Sequence, residues 1–488
     1  MWLKPQEHVN EREVDKGLLL VLWDGLTAEV MIAFTGGAFV VSMALLLGAN
    51  NMQIGLLASI PTFTNLSQLL AVWLVKKLQN RRIIVVLCCF LARFPLIIIG
   101  VLILLGGGTS ISTLLFFLFV YYLFGAISSP SWNSWMKDLI PDDRLGQYFS
   151  KRTRYNQMLN VVLSISLALV VDFVKDQYPQ WELHIYAVFF IVAGSVGIVG
   201  GYILSKVKEP QTQLSNANIF TLFSKPLKDV NFRKLLIFNS AWVFAINLAI
   251  PFFTVFMLKS LGLSISYIIG LFILSQLGSI FTLRIWGMFS DRYSNKTIIA
   301  IAAPIYITCL IAWCFVGIYS SMIANIILLA AIHVGNGVST AGINLSLTNI
   351  GLKLAPKEAA VVYLSIKNIV TSVFSSISPL IGGFLADYLI NVHVTITADL
   401  KAVGWAKQLR LVALHEWNFL FLIAAFLAFI ALQLLINVRE VGEIEKDYVR
   451  KIMRKSLKNN LKEYFFIGNI INMNAQFRTL FKSDKKRP

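Results

Sequence analysis

Six ionisable side chains stand inside long apolar runs of this chain: Asp24, Glu29, Arg93, Asp172, Lys367 and Asp387. On insertion scales a charge at the bilayer centre costs about 2.5–3.5 kcal/mol, so each needs a partner, a water-filled cavity or a boundary position. A carboxyl group held away from water takes up a proton readily and can release it elsewhere, which is the chemistry of proton coupling. Glu29, midway along the first run, is the first choice for that role, with Asp24 second; a structural acid paired to a nearby base is the alternative for both. Arg93 lies ten residues into the third run and reads as the partner of Asp24 or Glu29, or as a substrate contact. Lys367 reads as a cationic site for an anionic solute, a coupling group or half of a structural pair. Trp132, Asn133, Asn239, Trp242, Asn247, His333, Asn336 and Asn344 can orient or stack on a solute, although membrane helices also use such residues to pack against one another. His333 has a side chain that titrates near neutral pH.

The elements that must position these residues follow from composition. Hydrophobic residues make up 57% of 488 and charged residues 14%, and the charges cluster between runs long enough to span a bilayer. The runs are continuous rather than alternating, which favours helices over a barrel. Twelve are counted, at 18–47, 53–75, 83–105, 112–137, 153–174, 184–205, 235–258, 266–289, 297–317, 321–350, 360–390 and 417–438. An even number returns both termini to one side. With the N-terminus in the cytoplasm, 36 of the 43 Lys and Arg fall on cytoplasmic segments or the span ends beside them (Lys137, Arg154 and Arg284), five fall on outer loops, and Arg93 and Lys367 lie deeper within spans. The formal charge of +18 is thus matched to an anionic leaflet and does not call for nucleic acid. Cys88, Cys89, Cys309 and Cys314 all fall inside runs, where they pack as small apolar residues. Residues 1–17 are polar and form a tail without a signal-peptide pattern. A basic linker, 206–234, separates two blocks of six runs, 18–205 and 235–438, and a basic tail, 439–488, has the spacing of an amphipathic helix or of a solvated strand of chain. The outer connection 391–416 suggests a short helix lying at the interface.

The two blocks are related by a repeat of about 214 residues. Leu47-Gly48 matches Leu261-Gly262, Arg82 matches Lys296, and after one insertion Pro141 matches Pro356 and Asp172 matches Asp387. That symmetry gives the two aspartates a matched helix-end or gate role. The segment Gly287-Met-Phe-Ser-Asp291-Arg292-Tyr-Ser-Asn-Lys296 fits Gly-x-x-x-Asp-Arg-x-x-x-Lys/Arg and resembles the signature loop of the major facilitator superfamily. In its first-half counterpart Trp73 replaces the glycine and Lys77 the aspartate, and only the basic end, Arg81-Arg82, survives. Gly287 would let two helices approach closely, and Asp291 would latch one conformation through Arg292 or a neighbouring helix.

The resemblance covers residues 17–438 and implies an all-α polytopic membrane protein: twelve transmembrane helices in two pseudo-symmetric six-helix bundles. It further implies a cavity lined by spans 1, 4, 7 and 10 and rocking between inward-open and outward-open states. The expected function is secondary active transport of a small solute, coupled to protons, leaning to metabolite uptake. Drug or metabolite efflux by antiport is the alternative, and a carrier-like sensor or lipid flippase is a further one. No phosphate-binding loop, HExxH or Gly-x-Ser-x-Gly elbow occurs, so the expectation is no enzyme, cofactor or metal site. The expected partners are a small-molecule substrate, protons and the lipid bilayer, around a monomer in a bacterial inner membrane with both termini cytoplasmic.

Overall fold

The computed structural model describes residues 4–440, apart from 7–8, 107–108, 142–143, 212–218, 293, 319–320, 357–359, 403–404 and 415. Among the described residues twelve helical segments are long and apolar enough to cross a membrane. They are α1 (Glu11–Leu46), α2 (Asn51–Leu78), α3 (Arg81–Leu104), α4 (Ile111–Leu139), α5 (Leu145–Gln177) and α6 (Pro179–Ser205), then α7 (Val230–Lys259), α8 (Ile265–Ser290), α9 (Asn295–Phe315), α10 (Met322–Leu354), α11 (Val362–Tyr388) and α12 (Trp417–Asn437). Several begin well before the apolar run itself. The run of α5 opens at 153, yet its helix starts at Leu145, because Gln147, Lys151 and Arg152 are good helix formers ahead of it. Large apolar side chains such as Phe116, Val162, Phe281, Ile327 and Phe426 point outward, as a lipid-facing surface requires.

Each block of six packs on itself, with α3 against α4 and α6 in the first, and α10 against α8 and α9 in the second. In the second, an aromatic core holds α7, α9 and α12 together: Phe253 stacks on Trp313 at 4.5 Å, and Phe252 lies against Trp417. The first helix of each block is interrupted partway along. α1 breaks at Gly36, where Gly37 takes φ +50°, and α7 breaks across Leu248 and Ala249 ahead of Pro251. Both then end in a glycine with left-handed backbone, Gly48 at φ +80° and its repeat mate Gly262 at φ +62°, a conformation other residues adopt only with strain.

The blocks meet on the face opposite the termini. There Gly37–Leu46 of α1 touches Ile250–Lys259 of α7, α2 packs on α11, and α5 on α8. The α2–α11 approach is close enough that a Cβ at Gly55 would lie 2.2 Å from the Pro379 carbonyl oxygen. Two carboxylates complete the contact. Asp387, at the end of α11, accepts from the Asn51 and Met52 amides at 3.1 and 2.9 Å, while Asn50 accepts from the Gln53 amide, so the first turn of α2 has its free N–H groups met. Its repeat mate Asp172, on α5, accepts from the Ile265 and Ser266 amides of α8 at 3.0 and 2.9 Å. The matched helix-end role expected of this pair is thus a reciprocal cap between blocks.

On the terminus face the corresponding caps stay within each block. Glu209, just past α6, accepts from the Arg81 and Arg82 amides of α3 at 3.0 Å each and pairs with Arg81 Nε at 2.9 Å; Arg81 also pairs with Asp138. Glu440, just past α12, accepts from the Lys296 amide, Ser294 Oγ and Asn295 Nδ2 of α9 at 2.8 Å each, and from Lys353 Nζ at 3.0 Å. Burial alone would push the Glu440 carboxyl up; the bonds from Asn295, the Lys296 amide, Lys353 and Ser294 together outweigh it and hold the group below the usual carboxylate range.

One expectation is corrected. The outer connection contains not a short interfacial helix but an antiparallel hairpin, β1 (Val394–Ala402) and β2 (Trp405–Leu414), with a register shift after Ile396. The β-branched alternation Val394-Thr-Ile-Thr397 is a strand pattern, and it outweighs the scattered leucines that suggested a helix. The basic tail beyond Glu440 and the centre of the linker lie outside the described residues; the linker's far end is a helix, Ile219–Lys228.

Each cross-block cap contributes about 1 kcal/mol, so Asp172→Ala with Asp387→Ala is expected to shift the balance between closed and open far faces by about thirtyfold. Spin labels at the exposed positions Tyr178 and Tyr267 read this as a longer distance population; an unchanged distribution would show that the caps do not hold the face shut. For Glu440 the folded value is depressed, so its stabilisation is present above the ordinary 4.5 and lost as pH falls through the lower folded value. Glu440→Gln should therefore unfold at a lower temperature than the unsubstituted protein at pH 7, and the gap should close below about pH 4; a gap independent of pH contradicts this.

Candidate functional site

Two cavities lie between and beneath the interrupted helices. The upper one, about 650 Å³, sits at the block interface where the breaks in α1 and α7 face one another through Thr35, Gly37, Ile250 and Pro251. α2, α8 and α10 complete its wall, with Tyr122 of α4 and Tyr306 of α9. Spans 1, 7 and 10 line it as expected, with spans 2 and 8 beside them; span 4 gives it only Tyr122 but supplies Gly125, Ser128, Ser129 and Trp132 to the second cavity. No charged residue is among its lining residues; its polar groups include Gln276, Ser275, Thr340, Asn336 and His333. His333 Nδ1 lies 2.8 Å from the Leu329 carbonyl oxygen, which can only accept, so Nδ1 carries a proton.

The lower cavity, about 440 Å³, is lined wholly by the first block and adjoins the upper one at Pro61 and Tyr122, which border both. It collects the charges: Asp24 from α1, Arg93 from α3 and Arg152 from α5. Asp24 is 6% exposed and lies within electrostatic reach of both guanidinium groups, yet neither closes an ion pair with it. Arg93 donates to the Cys89 carbonyl at 2.9 Å, and Arg152 lies over the Trp132 ring at 5.0 Å. Glycines make the room. A Cβ on Gly197 of α6 would stand 2.6 Å from Arg93 Cγ, and one on Gly25 would stand 2.6 Å from Arg152 Nε.

The sequence-derived candidates divide accordingly. Asp24, Arg93, Trp132, His333 and Asn336 line the cavities. Glu29 does not: it is half-buried between α1 and α5, where it accepts from Asn160 Nδ2 at 2.7 Å. Five residues of helix turn it about 140° from Asp24, although both acids lie within electrostatic reach of Arg152. Lys367 is buried against α10, donating to the Leu347 carbonyl at 3.2 Å, and is not among the lining residues. Trp242 packs into the core beside Tyr306, Asn239 is buried on α7, Asn247 bonds back to the Val243 carbonyl, and Asn133 and Asn344 are exposed; none lines either cavity. In the signature loop, a Cβ at Gly287 would meet nothing within 4 Å, so no helix approaches closely there, in contrast to the expectation. The side chains of Asp291 and Arg292 lie outside the described residues. Arg152 was not anticipated, because it precedes its apolar run and reads as a loop cation.

Residues 26–379 match the profile of the Major Facilitator Superfamily. The chain belongs to that superfamily. Solved structures of superfamily-like fold agree: the nucleoside transporter NupG superposes with TM-score 0.64 at 11% identity, covering 87% of this chain and 98% of that one. A bacterial homologue of the iron transporter ferroportin in an inward-facing state gives 0.59 at 13%, covering 88% and 100%. A bacterial homologue of the human lysosomal transporter Spinster, inward-facing and unoccupied, gives 0.57 at 16%, covering 78% and 84%. Identities this low establish the fold alone. Curated protein sequences give no match. Twelve apolar helices in this superfamily make the chain an integral multi-pass membrane protein, and the superfamily fold implies secondary transport by alternating access.

The lower cavity predicts accessibility from one side. With the four buried native cysteines replaced, a polar maleimide should reach Ser129→Cys, an exposed cavity position, from the terminus face of oriented vesicles. Labelling from the opposite face should be slow and rise on adding Asp172→Ala and Asp387→Ala; equal labelling from both faces at the outset contradicts the closure described.

Proposed function

We propose that this superfamily member is a proton-coupled secondary transporter that takes a small solute into the cell, with Asp24 as the coupling carboxyl. In this reading the terminus face is cytoplasmic, as the Lys and Arg distribution indicates, and the bundles 18–205 and 235–438 rock about the solute in an inner membrane. The observation that carries it is the placement of a buried carboxylate, without an ion pair among the described residues, on the wall of a cavity that adjoins the one at the block interface. Asp24 is faced by Arg93 and Cys89 from α3, by Arg152 and Tyr148 from α5, and by uncharged groups of α2 and α6. Protonation changes the charge of the lining residues from +1 to +2, a difference that solute binding can sense. Glu29, tied to Asn160, becomes the structural acid of the pair.

The test uses purified protein in proteoliposomes with a solute found by a thermal-shift screen of metabolites and drugs. Asp24→Asn should abolish accumulation driven by a pH gradient while leaving solute exchange at zero gradient, and Glu29→Gln should keep both. Full gradient-driven accumulation by Asp24→Asn would falsify the assignment. Accumulation only when the gradient is reversed would show antiport and export instead.

A further inference from the structure

We infer that the lower cavity binds the oxyanion of the solute, a carboxylate or phosphate ester, through Arg152 and Arg93, while an uncharged, largely apolar body fills the upper cavity. The inference rests on the transport reading only for what happens to the ligand afterwards. Its basis is a set of donors without protein partners. Arg152 makes no hydrogen bond and no ion pair among the described residues, and its Nε is buried. Arg93 is 9% exposed, uses one N–H on the Cys89 carbonyl and leaves a buried Nε without an acceptor. Trp132 Nε1, beside Arg152, is likewise buried without an acceptor.

A guanidinium carries five N–H donors in a planar fork that matches a carboxylate or phosphate edge, and a buried donor left unmet destabilises the fold that holds it. Here two such groups share one cavity with a single carboxylate, Asp24, that pairs with neither. An anion that enters meets both. A cation would meet both guanidinium groups on the cavity wall with only Asp24 beside them, since Glu29, though within electrostatic reach of Arg152, is not among the lining residues and is held by Asn160. Arg152 Cζ lies 5.0 Å from the centre of the Trp132 ring, and Gly25 leaves the space that the guanidinium occupies, so the group is packed on two sides before a ligand arrives. Above, Phe253, Phe272, Ile54 and Tyr306 surround a space without charged lining residues, which suits an uncharged organic body and not a second ionic group.

The experiment measures binding to the full chain in detergent by isothermal titration at pH 7. The probes are benzoate and phenyl phosphate, their uncharged counterparts benzamide and phenol, and inorganic phosphate. We expect at least one organic anion to bind, the uncharged counterparts to bind at least about tenfold more weakly, and R152Q and R93Q each to weaken the anion about tenfold or more, the size of one lost charge-assisted hydrogen bond. Should R152Q fail to fold, G25A serves in its place, since the added methyl group displaces Arg152 from Trp132. Equal binding of charged and uncharged probes, wild-type affinity in both arginine variants, or no binding by any anion overturns the inference. Inorganic phosphate binding as tightly as phenyl phosphate overturns the role given to the upper cavity. Anion binding lost in R152Q but without uptake in proteoliposomes leaves the site standing and removes the transport reading. Uptake of a solute that binds independently of both arginines does the reverse.

Discussion

The first turn of a helix presents amide protons that no residue of that helix can accept, and at the edge of a bilayer those protons cannot be left unmet. Four carboxylates meet them here. Glu209 and Glu440 cap α3 and α9 from the end of the last helix in the same block, and this ties each block into a unit. Asp172 and Asp387 cap α8 and α2 from the opposite block, which joins the units on one face only. Permanent and separable contacts are thus made with the same chemistry, and what distinguishes them is which helix brings the acid.

With the far face closed in this way, the remaining space gathers on the other side of the helix breaks, and its chemistry is unevenly shared. The interface cavity is built by both blocks and has no charged lining residue; the cavity beneath belongs to the first block and holds Asp24, Arg93 and Arg152. The repeat relates backbones, then, and not sites. Among the described residues the second block lines no cavity with a matching triad; its buried cation, Lys367, donates to a carbonyl of α10 instead.

Much of this could be read in the sequence. Twelve apolar runs and the sidedness of Lys and Arg are summed over tens of residues, and the Asp172/Asp387 pairing follows from the repeat. Their partners could not be read, because a backbone amide leaves no residue signature. Asp24, Glu29 and Arg93 were legible as charges in apolar surroundings; which acid lines a cavity was not, because depth along a run does not report the angle between residues five apart on a helix. Arg152 was hidden because α5 continues past the hydrocarbon as a helix, which carries a loop-like cation up to a cavity wall. The hairpin was missed because its strand pattern is short and its leucines are spaced ambiguously.

The reciprocal caps of Asp172 and Asp387 have the form of an isologous contact, in which one surface meets a copy of itself and every interaction is made twice. A six-helix chain bearing one such aspartate and one such helix start would, on pairing with its twin, already possess the whole closure. The two halves of this chain keep that self-matching closure while differing beneath it, since the charged floor belongs to the first half.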